Sequence, residues 1–102
     1  MKQKKYKAII FPSAENDLFD INDYYINKLK ISPQKLFSKL KQSIEILEEN
    51  PLLFPCVKDS YLNQLQYRMV PIDNYLLFYI IENDTVQIHR FLYGKRNYID
   101  FL

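Results

Sequence analysis

The sequence predicts an α+β domain in which a helical hairpin packs on one face of an antiparallel sheet. After one short strand-like run, two segments of the first half carry apolar residues at steps of three and four, the spacing of amphipathic helices. The second half carries three strand-like runs separated by turn residues, and one of them has seven consecutive apolar residues. The resulting order, β-α-α-β-β-β, is typical of a layer of helices on a layer of strands.

Composition sets limits on the class of protein. The length of 102 residues fits a single domain, predicted to span residues 1–102. Apolar residues make up 48% of the chain, which argues against disorder, and a net charge of +2 does not by itself indicate a partner. A single cysteine, Cys56, excludes an intramolecular disulfide. The sequence shows no signal-peptide pattern and no run of about 20 apolar residues, so we expect a soluble, cytoplasmic protein.

The first strand and the first helix follow each other directly. Residues 6–11, YKAIIF, are mostly β-branched and aromatic, and they predict a short strand that Pro12 ends. Ser13 is expected to cap the helix, because its hydroxyl can accept a hydrogen bond from a backbone N–H of the first turn. The helix is predicted over residues 14–30. Its apolar stripe consists of Ala14, Leu18, Ile21, Tyr25 and Leu29.

The second helix is predicted to begin at Ser32 and Pro33. Ser32 can act as its cap, and Pro33 suits the first helical position because its missing N–H would be unpaired there anyway. Pro51 ends the helix, since proline cannot continue one. The short link between the two helices requires them to pack as an antiparallel hairpin. The second apolar stripe consists of Leu36, Phe37, Leu40, Ile44 and Leu47.

The second half begins with a loop and two strands. Residues 51–66 are rich in Pro, Asp, Ser and Asn and predict a loop with one turn of helix. A short strand is predicted over Tyr67–Ile72, broken by Pro71. Residues 75–81, YLLFYII, predict a strand covered on both faces, or covered on one face and turned to a partner on the other.

The last strand is predicted over residues 85–93, TVQIHRFLY. Simple alternation divides its side chains between two faces, with Val86, Ile88 and Leu92 on one and His89, Phe91 and Tyr93 on the other. Gly94, the only glycine of the chain, is expected to end the strand by adopting a backbone angle that other residues resist. Residues 96–102 are consistent with a short C-terminal helix.

Several kinds of site are excluded by residue counts. One histidine and one cysteine do not make a His/Cys zinc site. One glycine excludes a phosphate-binding P-loop and a dinucleotide-binding fingerprint. A Ser-His-Asp triad would have to use His89, and the chain has no nucleophile-elbow motif. We therefore predict neither a metal nor a cofactor.

Cations and aromatic residues cluster on the last strands and the tail. Metal-free RNA cleavage uses such groups, because a base must take the 2′-hydroxyl proton, an acid must protonate the leaving oxygen, and cations must stabilise charge on the phosphoryl oxygens. The alternative is that the tyrosines are core residues and the arginines are surface charges of little energetic weight. For His89, a half-buried, hydrogen-bonded role is the simpler alternative to a general base. The set consists of Arg68, His89, Arg90, Tyr93, Lys95, Arg96 and Tyr98.

Three stretches of the second half carry a family pattern. Tyr67-Arg68 opens a strand, NYLLFYII follows a turn, and the chain then continues as TVQIHRFLYGKRNY. With the preceding strand and two helices, the second of which closes on the tripeptide ENP, this pattern resembles the RelE/ParE superfamily of type II toxins over nearly the full chain. These toxins are also described as plasmid stabilisation proteins. The chain departs from the pattern at Asn97, where aspartate is frequent, so no role that needs a carboxylate is carried over to that position.

The resemblance implies one of two activities. ParE-like members inhibit DNA gyrase without catalysis, whereas RelE-like members are metal-independent endoribonucleases that cut mRNA on the ribosome. The long helices and the YGKRNY tail favour the ParE-like activity, and three arginines are few for the ribonuclease branch. The ribonuclease and a degenerate, non-toxic binding module remain the alternatives.

The resemblance also implies partners and site residues. A cognate antitoxin is expected to wrap the toxin with a helix and a strand and to neutralise it in a hetero-oligomer, and the target is gyrase or the ribosome with its mRNA. No membrane partner is implied. In a ribonuclease, the catalytic residues would be Arg68, Tyr93, Arg96 and Tyr98. Target-binding residues would be Arg68, Arg90, Lys95 and Arg96. Antitoxin-binding residues would be Phe91, Phe101 and Leu102.

Overall fold

The computed structural model of the chain describes residues 5–95 and Leu102. Its elements, in chain order, are β1 (Lys7–Ile10), α1 (Pro12–Tyr24), a π-helical turn (Tyr25–Leu29), α2 (Gln34–Glu49), α3 (Ser60–Gln64), β2 (Arg68–Ile72), β3 (Tyr75–Glu82) and β4 (Thr85–Tyr93). This confirms the predicted α+β class and element order, including the single helical turn before the later strands. The predicted C-terminal helix lies outside the described residues. Among those residues, no helix has both the length and the apolar character that crossing a bilayer requires.

The four strands form one sheet in the order β1-β4-β3-β2. β2 and β3 pair antiparallel, as do β3 and β4, which the hairpin turns between them predict. β1 differs from the prediction, because it pairs with β4 in parallel, from Lys7 opposite Thr85 to Ile10 opposite Ile88. Its direction is set by the two-helix connection that returns the chain to the far side of the sheet, and local sequence patterns carry no information about it.

One face of the sheet is covered by α1 and α2. The predicted stripes supply this helix-side core, and Ala14 and Leu47 are fully buried within it. Leu29, the last member of the first stripe, is instead 42% exposed. The reason is that α1 ends at Tyr24, and the wider π-helical turn that follows changes the direction of the later side chains.

The opposite face of the sheet is covered by the segment that contains α3. The described residues form a second cluster there, in which Leu62 of α3 packs against Phe78 of β3, and Leu102 contacts its edge. β3 is therefore covered on both faces, the first of the two predicted arrangements. The buried members of this outer cluster are Val57, Leu62, Tyr67, Phe78 and Leu92.

A β-bulge interrupts the pairing of β3 with β4. The register shifts by one residue midway along the strands, and the extra residue on β4 is His89. A bulge reverses the alternation beyond it. Phe91 therefore joins Ile88 in the helix-side core, whereas Leu92 joins the outer cluster. The predicted grouping of Leu92 with Ile88 on one face is wrong for this reason.

The helix caps differ in part from the prediction. Ser13 does not cap α1, whose N-cap residue is Phe11 with no side-chain hydrogen bond. The Ser13 hydroxyl instead donates to the backbone carbonyl of His89 at 2.7 Å. Ser32 is not the N-cap residue of α2 either, because it lies one position before Pro33, although its hydroxyl accepts from the backbone N–H of Gln34 at 3.2 Å.

Prolines mark two boundaries that the prediction misplaces by small amounts. Pro33 is the N-cap residue of α2 rather than its first helical residue. β2 runs through Pro71 to Ile72 instead of breaking there. An edge strand tolerates this, since proline lacks only a donor that an outer edge does not need, and β2 is the edge of the sheet.

Candidate functional site

A wide cleft lies where α1 ends beside the end of β4. Its volume is about 750 Å³, and we call it the tyrosine cleft. Its walls come from the last turns of α1, the π-helical turn and the strand ends of β3 and β4. The lining residues are Asp17, Asp20, Ile21, Asp23, Tyr24, Tyr25, Leu29, Asn74, Tyr75, Phe91, Leu92 and Tyr93.

Stacked aromatic rings form one side of the cleft. Tyr75 stacks on Phe91 with ring centroids 5.1 Å apart, and Tyr93 meets Tyr75 edge-on at 5.7 Å. Burial, together with the neighbouring hydroxyl of Tyr25, which is hydrogen-bonded to it, raises the pKa of Tyr75 to about 12. Tyr75 is therefore neutral at physiological pH and offers a polarised ring and a hydroxyl rather than a negative charge.

Asp17 anchors β4 to α1 at the base of the cleft. Its Oδ2 accepts from Nε of Arg90 at 2.7 Å, and its Oδ1 accepts from Nη2 of Arg90 at 2.7 Å. Oδ2 also accepts from the backbone N–H of Phe91 at 3.0 Å. The hydrogen bond to Asp17 raises the pKa of Arg90, outweighing the opposing effect of burial. Both side chains are largely buried, so this is a bidentate internal ion pair.

Ser13 and Asp17 together explain how α1 is placed. β1 ends at Ile10 and leaves the remainder of the β4 edge without a strand partner. The two side chains lie one turn apart on α1. The Ser13 hydroxyl donates to the carbonyl of His89, and the Asp17 carboxylate accepts from the N–H of Phe91. The helix thus satisfies backbone groups that a further strand would otherwise pair.

His89 lies at the bulge in a half-buried aromatic setting. Its ring stacks on Phe11 with centroids 4.5 Å apart, and its Nδ1 lies 2.9 Å from the Tyr67 hydroxyl. Nε2 lies 3.4 Å from Oε1 of Gln87. Burial lowers the pKa of His89, and the charge of Glu82 opposes this effect. This is the simpler of the two roles considered for the only histidine.

The buried position of His89 predicts a loss of stability in mild acid. Its pKa is lower in the folded chain than the value of about 6.5 in an unfolded one. As the pH falls below that value, the unfolded state takes up a proton before the folded state does, so the free energy of unfolding decreases until the folded-state pKa is reached. Urea denaturation at about pH 7.5 and about pH 5.5 tests this. We expect the His89→Gln variant to lose less stability over that interval, and parallel losses in the two proteins would contradict the prediction.

The predicted catalytic residues that the structure describes lie apart. Arg68 is opposite Tyr79 on β3, and Tyr93 is opposite Tyr75. These positions are about 13 Å apart along β3 at about 3.3 Å per residue, and the two strands flank β3 on opposite sides. The Arg68 guanidinium also donates to the backbone carbonyl of Phe54, which holds it beside the loop before α3.

The other predicted site residues differ in their exposure and contacts. Arg90 is tied to Asp17, whereas Lys95 is exposed just after β4. Phe91, predicted to bind the antitoxin, is 1% exposed and contributes only to the inner surface of the tyrosine cleft. Leu102 is half-buried against the outer cluster. The predictions for Arg96, Tyr98 and Phe101 fall outside the described residues.

Gly94 is required for a different reason than the one predicted. Its φ is not positive, so no special backbone angle is involved. Its N–H donates to the carbonyl of Asn74 at 2.7 Å, and a Cβ at this position would lie 3.1 Å from that same oxygen. The glycine permits the close approach of the chain to the β2–β3 turn, which closes this end of the sheet.

Sequence reasoning named Phe91 and Tyr93 of the cleft as candidate site residues and missed the other residues that line it. An available signal was Asp17, an acidic residue one turn from Ala14 and Ile21 on the apolar side of α1, since carboxylates are rarely buried without a partner. Tyr25 belonged to the predicted apolar stripe, whereas Tyr24 carried no comparable signal, and the π-helical turn that follows Tyr24 is not visible in the apolar spacing. Among residues 5–95, no group of His, Cys, Asp and Glu side chains is arranged to hold a metal ion.

Comparison with known proteins yields two findings. The profile of the family described as "ParE toxin of type II toxin-antitoxin system, parDE" matches residues 9–98. The solved structure titled "Chromosomal ParDE TA system from P. aeruginosa" contains a chain that superposes with a TM-score of 0.68 and 14% sequence identity, covering 91% of this chain and 100% of that one. At this identity the likeness shows a shared fold. A search of curated proteins gives no significant match.

Proposed function

The chain belongs to the family of ParE toxins of type II toxin–antitoxin systems, and from that premise we propose that it inhibits DNA gyrase and is neutralised by a cognate antitoxin. The match over residues 9–98 is the observation that carries the proposal, because it spans α1, α2, α3 and strands β2, β3 and β4, and includes the end of β1. The proposed site of action is the cytoplasm, where gyrase and its DNA are found.

The placement of the cations supports binding over cleavage. RNA cleavage requires a base, an acid and a cation around one phosphate. Arg68 and Tyr93 are too far apart to share one, and the Arg90 charge is balanced internally by Asp17. A surface that binds a protein target needs no such convergence, and Arg68 and Lys95 remain the proposed contacts to it.

Exposed apolar side chains on α1 and just beyond it support the proposal of an antitoxin partner. Phe19 is 73% exposed on α1, Ile26 is 49% exposed on the π-helical turn, and Ile31 is 56% exposed just beyond it. A run of exposed large apolar residues on one helical segment is typical of a surface that a partner covers. We propose that the antitoxin covers this segment in a hetero-oligomer.

A supercoiling assay tests the target. We expect the purified protein to inhibit supercoiling by gyrase, the antitoxin from the adjacent gene to abolish inhibition, and Lys95→Ala to weaken it. The matched control is Lys58→Ala, which replaces an exposed lysine of the loop before α3. Folded protein in stoichiometric excess that leaves supercoiling unchanged would contradict the gyrase proposal.

The alternatives give different outcomes in cells. A ribosome-dependent ribonuclease would produce codon-linked mRNA cuts that Arg68→Ala removes, while gyrase activity stays normal. A degenerate binding module would allow ordinary growth during strong induction of soluble protein. Growth arrest with intact transcripts and relaxed plasmid DNA is the result that the gyrase proposal predicts.

A further inference from the structure

We propose that the tyrosine cleft binds a cationic side chain, an arginine or a lysine, carried by the antitoxin segment that covers α1. The inference rests on the proposed toxin–antitoxin function and names a subsite within it. It follows from the charge of the cleft, from its aromatic walls and from the unusual turn that opens it.

The charge of the cleft is negative and in part unbalanced. Asp17 is balanced by Arg90, but Asp20 and Asp23 are exposed at the rim and make no ion pair with a described residue. Within residues 5–95, Asp23 accepts a hydrogen bond from the side-chain amide of Asn27, which is neutral. No lysine or arginine among the described residues lines the cleft. Two carboxylates without a described counter-ion therefore face a cavity that no described lysine or arginine lines.

The aromatic walls suit the same ligand. Tyr24 is 51% exposed and Tyr93 is 37% exposed, so both rings are accessible from the cavity. A guanidinium or ammonium group is attracted to the face of a neutral aromatic ring, and arginine also stacks on it. The hydroxyls of the tyrosines that line the cleft can accept the remaining N–H donors.

The π-helical turn is an independent sign of function at this position. It replaces the last turn of α1, and of its five residues only the partly buried Tyr25 packs against the helix-side core, so little packing offsets its less common geometry. The chain leaves it through Lys30 in the left-handed region, with φ of 59°. Turns of this kind occur frequently at functional sites. Here the turn carries Tyr25 and Leu29 to the wall of the cleft.

The charge and the apolar side chains around the cleft indicate that its occupant is a segment of a protein. Nucleic acid is disfavoured, since the rim carboxylates would repel its phosphates. Exposed apolar side chains continue from the cleft along the turn, at Ile26 and Leu29. A segment that places apolar residues on this surface and one cation in the cleft matches both features.

Antitoxin binding by isothermal calorimetry tests the inference. With the isosteric variant Asp20→Asn/Asp23→Asn, we expect about tenfold weaker binding and a smaller dependence of affinity on salt than with the unmutated chain. Tyr24→Leu should weaken binding in the same direction. Glu15→Gln removes an exposed carboxylate from α1 outside the cleft and should leave affinity unchanged. Unaltered thermal unfolding of each variant establishes that the fold is intact.

A double-mutant cycle identifies the cation. Each arginine and lysine of the antitoxin is replaced by glutamine and paired with both forms of the toxin. We expect one replacement to weaken binding to the unmutated toxin by about tenfold and to have no further effect on the aspartate-to-asparagine variant. Equal affinity of the two toxin forms would overturn the inference while leaving the toxin–antitoxin function intact. Weakened gyrase inhibition with unchanged antitoxin binding would overturn the assigned occupant, and absence of any complex would overturn both proposals.

Discussion

Replacing Asp17 with alanine is expected to lower the free energy of unfolding by about 3–5 kcal/mol. The substitution takes the Asp17 carboxylate away from the largely buried Arg90 guanidinium, and it removes the acceptor of the Phe91 N–H. Breaking one side of a buried pair is costly because the remaining charge is desolvated and uncompensated. Since domains of this size are stable by about 5–15 kcal/mol, the loss is a large share of the total.

Urea denaturation followed by circular dichroism measures the effect. The control is Asp20→Ala, which removes an exposed carboxylate from the same helix and should change stability by less than about 0.5 kcal/mol. The double variant Asp17→Ala/Arg90→Met should recover part of the loss, because no buried charge then remains. If the single and double variants were equally unstable, the uncompensated charge would not be the cause.

The second large effect is expected at Phe78. Phe78 is 0% exposed on the face of β3 opposite the two helices, where it packs in the outer cluster with Leu62 and Leu92. Truncation to alanine is expected to cost about 3–5 kcal/mol, because the transfer free energy of the ring is lost and a cavity remains. The result would show that the segment around α3 is part of the folded core.

Phe19→Ala is the matched control for Phe78→Ala. It makes the same chemical change on α1 at a ring that is 73% exposed, so stability should change by less than about 0.5 kcal/mol. Both variants are compared by their midpoints of urea denaturation. A small loss at Phe78 would mean that the outer cluster contributes little, and that β3 relies on the helix side alone.

Local patterns predicted those parts of the fold that depend on local spacing. The stripes that contain Ala14 and Leu47 identified the two helices, and the uninterrupted apolar run identified β3 with coverage on both faces as one of two arrangements. The parallel pairing of β1 with β4 was missed, because strand direction depends on how the whole helical connection returns. Beyond His89, the side chains of β4 were assigned to the wrong faces of the sheet. The reason is that one extra residue moves every later side chain to the opposite face.

The candidate site was less accessible from the sequence than the fold. The cations and aromatic residues of the last strands and the tail were predicted to form one cluster. The structure instead separates Arg68 from Tyr93 and pairs Arg90 with Asp17. The tyrosine cleft depends on a π-helical turn and on a contact between α1 and β4, and neither leaves a periodic signal. Only the acidic residue at position 17, on the apolar side of α1, indicated an internal partner.

The bonds from α1 to the edge of β4 also determine when this protein can fold during its synthesis. Ser13 and His89 are separated by 76 positions, and Asp17 and Phe91 by 74. Because translation proceeds from the N-terminus, β1 has no strand partner, and Ser13 and Asp17 of α1 lack their backbone partners, until the last strand emerges. A ribosome that stops early therefore releases no folded toxin. A chain truncated after Asp84 should be digested by protease at least as fast as the urea-unfolded protein, and protease resistance would contradict this dependence.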